Sequence, residues 1–352
     1  LSGSVVEPPF RYLPSTLVSR DNNKMLNPFS IFTQAFPPRP QFTEKEIPDL
    51  SGRVCVVTGA NTGVGKEVAQ VLYSKNATVY ITSRSEDKGH AAIAAIKEAV
   101  PSSTGKLDIL ILDLADLTTI KPAADAFLAK ESQLHLLINN AGVMMPPQGS
   151  KTAQGYELQL GTNCVGPFLF TKLLTSTLVQ TAKTAPKDSV RVVWVSSSAA
   201  EVLSPYPAIE IDNLDYSKRD RIKEFKYGIS KAGNYFHSTE FAKRHKADGV
   251  ISLALNPGNL SSELDRHITA LIPTLFRKAT TYPAIYGAYT ELFAALSSDV
   301  TIEKTGDWVV PWGRFYAIRD DLVQGSKSRE EGGTGLAEDF WKWTEEQVKK
   351  YL

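Results

Sequence analysis

Seven short apolar runs, rich in β-branched residues, recur along this chain with a helical stretch between each and the next. The runs are "RVCVVT" (53–58), "TVYIT" (78–82), "LDILIL" (107–112), "LHLLIN" (134–139), "VRVVWVS" (190–196), "VISLALN" (250–256) and "DWVVP" (307–311). The intervening helical stretches fall at about 63–75, 87–100, 116–130, 152–182, 225–246 and 282–297. Runs that are apolar throughout, not at alternate positions, suit strands buried on both faces. Strand and helix in strict alternation make right-handed βαβ units around a parallel sheet. The expectation is therefore an α/β protein, one doubly wound domain with a seven-stranded parallel sheet. In such sheets ligands bind beyond the carboxyl ends of the strands, near the reversal in strand order. Residues that carry chemistry are to be sought just after the runs.

Composition narrows the classes. Hydrophobic residues make up 42% of the 352 positions and charged residues 22%, which suits a globular enzyme. A net charge of +1 argues against a broad electrostatic hold on nucleic acid. The two cysteines, Cys55 and Cys164, make neither a disulfide framework nor a metal cluster, so a reducing compartment fits and no metal site is expected. No apolar stretch approaches the length of a membrane span. A cytoplasmic location is the expectation.

Residues 1–50 form a proline-rich arm without lasting periodicity, read as extended chain on the domain or partly disordered. Met25 is a candidate start within it. Leu26, Phe29, Ile31, Phe32 and Phe36 of the arm offer a peripheral membrane contact, although packing on the domain is the favoured expectation. Residues 51–318 are assigned to the domain with its substrate-binding loops, and 319–352 to a tail. In the tail, "EDFWKWTEEQVKKYL" (338–352) reads as an amphipathic helix that caps a pocket, docks on the sheet edge or joins a partner chain.

"TGANTGVGK" (58–66) closes the first run and opens the first helix. Gly59, Gly63 and Gly65 permit a tight turn and a close approach of backbone to a pyrophosphate. Asn61, Thr62 and Val64 lie within that turn, and the helix N-terminus offers free N–H groups to phosphate. The second run ends in Ser83 and Arg84, with no acid to bind a ribose diol. That favours NADP(H), with NADH the lesser alternative. Asp113 and Leu114 close the third run, where an acid can meet an adenine edge. "NNAG" (139–142) closes the fourth, and Asn140, Ala141 and Gly142 let backbone come near a cofactor. Pro257 and Gly258 make a rigid turn after the sixth.

"VSSS" (195–198) places hydroxyls at the end of the fifth run, and "YGISK" (227–231) puts a tyrosine and a lysine one turn apart on the next helix. TGxxxGxG, NNAG, a strand-end serine and YxxxK in this order resemble the classical short-chain dehydrogenase/reductase family over roughly residues 50–318. "GTNCVGPFLFTKLL", "RVVWVSS" and "SKAGNYFHSTEFAKR" are similar to the branch of retinol dehydrogenases, protochlorophyllide reductases and WW-domain oxidoreductases, and to fungal dehydrogenases of the Bli-4 type. The interval of 30 residues between Ser197 and Tyr227 exceeds the family's usual one, and "EIDNLDYSKRD" fills it.

The resemblance implies a Rossmann fold and an NADP(H)-dependent enzyme that moves hydride between nicotinamide and a carbonyl or alcohol carbon. A tyrosine ordinarily ionises near pH ~10, and a lysine one turn away lowers that value by stabilising phenolate. Tyr227 is then the acid/base, Ser197 holds the substrate oxygen, and Lys231 also binds the ribose. Ser196 and Ser198 compete for the serine role. Asn163 matches the family's asparagine, implied to hold a water in the proton relay, and Ser262 stands where the family usually has a cofactor-contacting threonine. Cys164 is read as a packed residue. Leu203, Tyr206, Leu260, Ile268, Leu271, Ile272, Leu275 and Phe276 suggest an apolar pocket for a small lipophilic carbonyl or alcohol. The alternatives are an enzyme of the same fold acting on an imine, an enone or another pathway intermediate, and a non-catalytic NADPH sensor. A homodimer through helices 152–182 and 225–246 is what the family implies.

Overall fold

A computed structural model describes residues 28–261 and 281–352. The apolar runs become β1 (Val54–Val57), β2 (Thr78–Ser83), β3 (Lys106–Ile111), β4 (Leu136–Asn139), β5 (Val190–Val195), β6 (Val250–Leu255) and β7 (Trp308–Val310). They form one sheet in the order β3-β2-β1-β4-β5-β6-β7, all parallel. An eighth strand, β8 (Arg314–Phe315), pairs antiparallel with β7, so the sheet exceeds the expected seven. Two residues are too few to show in any pattern of sequence. They are placed by the turn at Gly313, whose φ of 76° reverses the chain.

Successive strand residues point to opposite faces, and the core accordingly divides in two. Cys55, Val57, Ile81, Ile138, Val193, Val195 and Leu255 point to one face. There they meet α2 (Gly63–Ser74) and α3 (Glu86–Ala99), together with α8 (Ala284–Leu296). Val54, Val56, Leu137, Val192 and Trp194 point to the other. That face is covered by α4 (Ile120–Leu128), α5 (Gly166–Ala182) and α7 (Lys223–His245).

The arm carries an unexpected helix, α1 (Pro28–Ala35), and its later residues Ile47 and Leu50 are buried in the first of these cores. Phe29 and Phe32 of α1 are 68% and 61% exposed, so the expected packing of these rings into the domain is not what the fold does. A short α6 (Ala199–Val202) follows β5, and α9 (Asp320–Ser326) precedes the tail helix α10 (Leu336–Val348).

Helix α10 lies on the helical face of the domain, not on the sheet edge. Phe340 stacks on His237 of α7, Trp341 meets Phe168 of α5 edge-on, and Lys172 of α5 pairs with Glu345. Gly233 of α7 leaves room for the Phe340 ring, which a Cβ there would meet at 3.0 Å. The α5 and α7 faces expected to receive a second copy are thus partly covered by the chain's own tail. Among the described residues no helix is long and apolar enough to cross a membrane.

Candidate active site

The strand order reverses between β1 and β4, and the candidate residues collect at the carboxyl ends of the strands on either side of that point. Gly59 and Gly63 have φ of 65° and 59°, in the left-handed region that glycine adopts without strain. Space is as tight as conformation. A Cβ on Gly59 would lie 2.9 Å from Ala141 Cβ, and one on Gly65 would lie 2.4 Å from Asn140 Nδ2 and 2.9 Å from the Gly59 carbonyl. Asn140 Nδ2 donates to the Thr58 carbonyl at 2.7 Å, and the Ala141 N–H donates to Thr58 Oγ1 at 2.9 Å. The glycine turn and the NNAG segment are therefore one packed unit, and the Asn140 side chain is spent on holding it. Thr62 precedes α2 in an extended conformation and its hydroxyl caps no N–H, which leaves the first-turn donors of α2 for an anion. Asn61, Thr62 and Val64 are half-buried along this turn.

Beyond β2, Ser83 is buried and its hydroxyl donates to the Ser85 carbonyl at 2.8 Å, so that side chain serves the local turn. Arg84 is exposed and, among the described residues, has no ion-pair partner. Asp113 is half-buried and accepts from the Ala115 N–H through Oδ1. Leu114 is a core residue packed against α5: its carbonyl would lie 2.5 Å from a Cβ on Gly166.

The second half of the site is built on α7. Tyr227 and Lys231 share one face of this helix, with Lys231 Nζ 5.7 Å from the Tyr227 ring centre. Lys231 Nζ donates to the Val195 carbonyl at 2.9 Å, at the end of β5, and the Asn234 amide donates to the same carbonyl. Burial pulls the Lys231 ammonium down to about 8. Glu291 of α8 is the buried carboxyl nearest in charge effect. It is wholly buried, neither oxygen has a hydrogen-bond partner among the described residues, and burial pushes it up to about 8. In the sequence Glu291 is marked only as the one acid of α8, AIYGAYTELFAAL.

The three serines separate by geometry. Ser196 is buried and donates to the Lys231 carbonyl at 2.6 Å, which fixes the helix to the strand end. Ser197 is half-buried and accepts from the Ala199 N–H. Ser198 opens α6. Ser196 is thus turned into the protein, while Ser197 and Ser198 are both half-buried just beyond the strand end.

Asn163 sits in a π-helical stretch, Gly161–Val165, and its amide is fully engaged. Oδ1 accepts from the Val143 N–H, and Nδ2 donates to the Val143 carbonyl and to Ser230 Oγ. A Cβ on Gly142 would come within 3.2 Å of Asn163 Oδ1 and 3.5 Å of Lys231 Nζ. Asn163, Gly142 and Lys231 are thus brought together as the sequence order suggested. Cys164 is buried, its thiol donates to the Ser230 carbonyl, and burial raises its pKa, so it packs and does not attack. Pro257 and Gly258 form the turn after β6, with Gly258 at φ 98° and its N–H held by Asn256 Oδ1 at 3.1 Å.

Among the described candidates for the substrate walls, the Leu203–Ser204 backbone abuts Gly228 beside Tyr227, Leu260 bridges to Tyr282, and Tyr206 is exposed. Ser262, Ile268, Leu271, Ile272, Leu275 and Phe276 lie outside the described residues. The aromatic group Tyr282, Tyr286 and Trp312 beside Gly258 escaped sequence reasoning, since the three rings meet only in space. Among the described residues no group of histidine, cysteine and acidic side chains is placed to hold a metal ion.

A parallel sheet with a glycine turn and an open helix end at its strand reversal defines a nucleotide-binding Rossmann fold. The family model for the short chain dehydrogenase matches residues 53–209. A short-chain dehydrogenase/reductase of Phomopsis amygdali is 55% identical over 325 residues, 91% of this chain and 97% of its own length. The short-chain dehydrogenase/reductase bet4 of Neocamarosporium betae is 50% identical over 92% of this chain and 94% of its own. A solved structure from Mycobacterium Paratuberculosis superposes with a TM-score of 0.63 at 28% identity, covering 88% of this chain and 97% of that one. The chain belongs to the short-chain dehydrogenase/reductase family and is an oxidoreductase of the NAD(P)(H)-using kind.

Proposed function

We propose that this oxidoreductase takes NADP(H) and interconverts a lipophilic carbonyl compound and its alcohol, with Tyr227, Ser197, Lys231 and Asn163 as the reaction centre. The observation that carries the reading is the buried Lys231 ammonium, one helical turn from Tyr227 and anchored on the strand end that bears Ser197. When bound, the nicotinamide supplies or accepts hydride. Everything else falls to the chain. The first turn of α2 and the glycines at 59, 63 and 65 receive the pyrophosphate, and exposed Arg84 meets a ribose 2′-phosphate. Asp113 faces the adenine side, while the backbone of Leu114, Ala141 and Gly142 lies along the cofactor.

At the reacting oxygen, Ser197 donates a hydrogen bond and Tyr227 gives or takes the proton. The positive Lys231 favours phenolate, and its depressed pKa lets it pass a proton on near neutral pH. Asn163 braces the loop after β4 against α7, and its π-helical backbone is the proposed seat of the relay water. Leu203, Tyr206 and Leu260 support an apolar substrate. The deciding assay follows NADPH and NADH oxidation over a panel of lipophilic ketones and aldehydes, beside Tyr227→Phe. Turnover with NADPH that the substitution abolishes while NADPH still binds is the expected result. Tight NADPH binding with no turnover on any carbonyl would overturn the reading in favour of a sensor, and turnover of imines or enones alone would move it to that chemistry.

A further inference from the structure

We infer that Gln34, on the N-terminal helix, is a positioning residue of the reaction centre: its single amide fixes the gap between the Ser197 wall and the turn at Pro257–Gly258. The inference rests on the reading of Ser197 and Tyr227 given above. Gln34 is 3% exposed, and its polar atoms are all satisfied within the protein. Oε1 accepts from Asn256 Nδ2 at 2.8 Å, and Nε2 donates to Glu201 Oε2 at 2.8 Å and to Ser30 Oγ at 3.1 Å.

Both long-range partners belong to the rim. Asn256 ends β6, and its Oδ1 holds the Gly258 N–H, so the amide network reaches the turn itself. Glu201 is in α6, which begins two residues after Ser197. An unbroken series of hydrogen bonds therefore runs from Gly258 through Asn256 and Gln34 to Glu201. It joins segments 222 and 167 residues away from Gln34.

Two arginines hold the ends of this bridge. Arg314 donates to the Thr33 hydroxyl and carbonyl at 2.9 Å, which seats α1. Arg319 donates to the carbonyls of Glu201, Ser204 and Pro205 and pairs with Asp321, which seats the segment beyond Ser197. The amide at position 34 meets both needs in every protonation state of its neighbours, an acceptor toward Asn256 and a donor toward a carboxyl. Glu201 is buried and its pKa is raised by that burial, with Gln34 and Arg319 opposing the rise and Asp321 adding to it. Tyr235 of α7 is the further titratable group that Glu201 influences.

The test exchanges the amide and the acid. In Gln34→Glu two carboxyls face each other and must share a proton. The turnover number for a ketone substrate should fall about tenfold at pH 8, the equivalent of one strained buried hydrogen bond, and recover toward pH 6. Adding Glu201→Gln restores a matched donor and acceptor, and with them the turnover number at pH 8. NADPH affinity should stay within about threefold throughout, since no phosphate contact changes. Hydrogen exchange on the NADPH-bound protein gives a reading that needs no substrate. Peptides 195–205 and 256–261 should lose protection together in Gln34→Met and Gln34→Glu, and regain it in the exchanged pair.

A Gln34→Glu pH profile that parallels wild type, or an exchanged pair no better than the single variant, would overturn the inference. So would two peptides that respond independently. If Gln34→Glu fails to fold, Gln34→Met and the exchanged pair carry the same decision through exchange. Tyr227→Phe in the same assay keeps the two readings apart: activity retained there breaks the assignment of the reaction centre, whatever Gln34 does.

Discussion

The two halves of the rim are held together by opposite means. On the β1 side the glycine turn and the NNAG segment touch through backbone and Cβ, with gaps too small for one added carbon. On the β5–β6 side long polar side chains from the arm and the tail bridge the segments that follow the strands. Sterics guard the first half, so it should respond to size and hardly to pH. Hydrogen bonds and charge guard the second, so it should respond to both.

Arg319→Ala strikes the second half hardest. It strips donors from three carbonyls and leaves the Asp321 carboxylate buried without its partner. A loss of about 3–5 kcal/mol in urea unfolding is expected. A loss under about 1 kcal/mol would mean the bridge is ornamental.

Gly65→Ala is the matching blow to the first half. The new methyl meets the Gly59 carbonyl and the anchored Asn140 amide, so the turn must open. NADPH affinity, measured by fluorescence titration, should fall about 100-fold at every pH, with an overpacking cost of about 1–3 kcal/mol. A pH-dependent loss would erase the contrast between the halves.

Glu291 and Lys231 lie between the two and titrate in opposite senses. The Glu291 carboxyl ionises near 4.5 when the chain is unfolded but near 8 when folded. Across that window the folded state holds the extra proton, so its contribution to stability declines as pH rises. Glu291→Gln removes that decline and should gain on the order of 2 kcal/mol over wild type by pH 8, measured by denaturation at a series of pH values. For Lys231 the folded value is about 8 against 10.5 unfolded, so the unfolded state holds the extra proton and stability rises between those values. Lys231→Met should flatten that rise.

The smallest effect sharpens the comparison from the first half. Arg84 is exposed, and its contribution is one screened charge. Arg84→Ala should raise the Michaelis constant for NADPH about tenfold and leave that for NADH unchanged. Equal effects on both would remove the case for a 2′-phosphate at this position.

These halves also differ in how far the amino-acid order reveals them. The turn at 58–66 and the segment at 139–142 are contiguous motifs at strand ends, so their meeting follows from the alternation of strand and helix. The Tyr227–Lys231 pair is equally local. Gln34, Glu201, Asn256 and Arg319 carry no such signature, because each is an ordinary polar residue whose bridging partner lies 118 or more positions away. Helix α1 is missed for the same reason: PFSIFTQA shows no long amphipathic period, and side-chain contacts to Arg314 and Asn256 hold it in place. Within the run of three serines the family resemblance favours Ser197, and the structure adds that Ser196 is buried and bonded to the Lys231 carbonyl.

The tail helix α10 has a consequence of its own. Because it is tethered to the domain it covers, its effective concentration at the α5–α7 face is set by the chain and is independent of how much protein is present. Dilution that would strip a separate subunit from such a face leaves this cover in place. Any second copy approaching those helices must first compete with a ligand the molecule already carries.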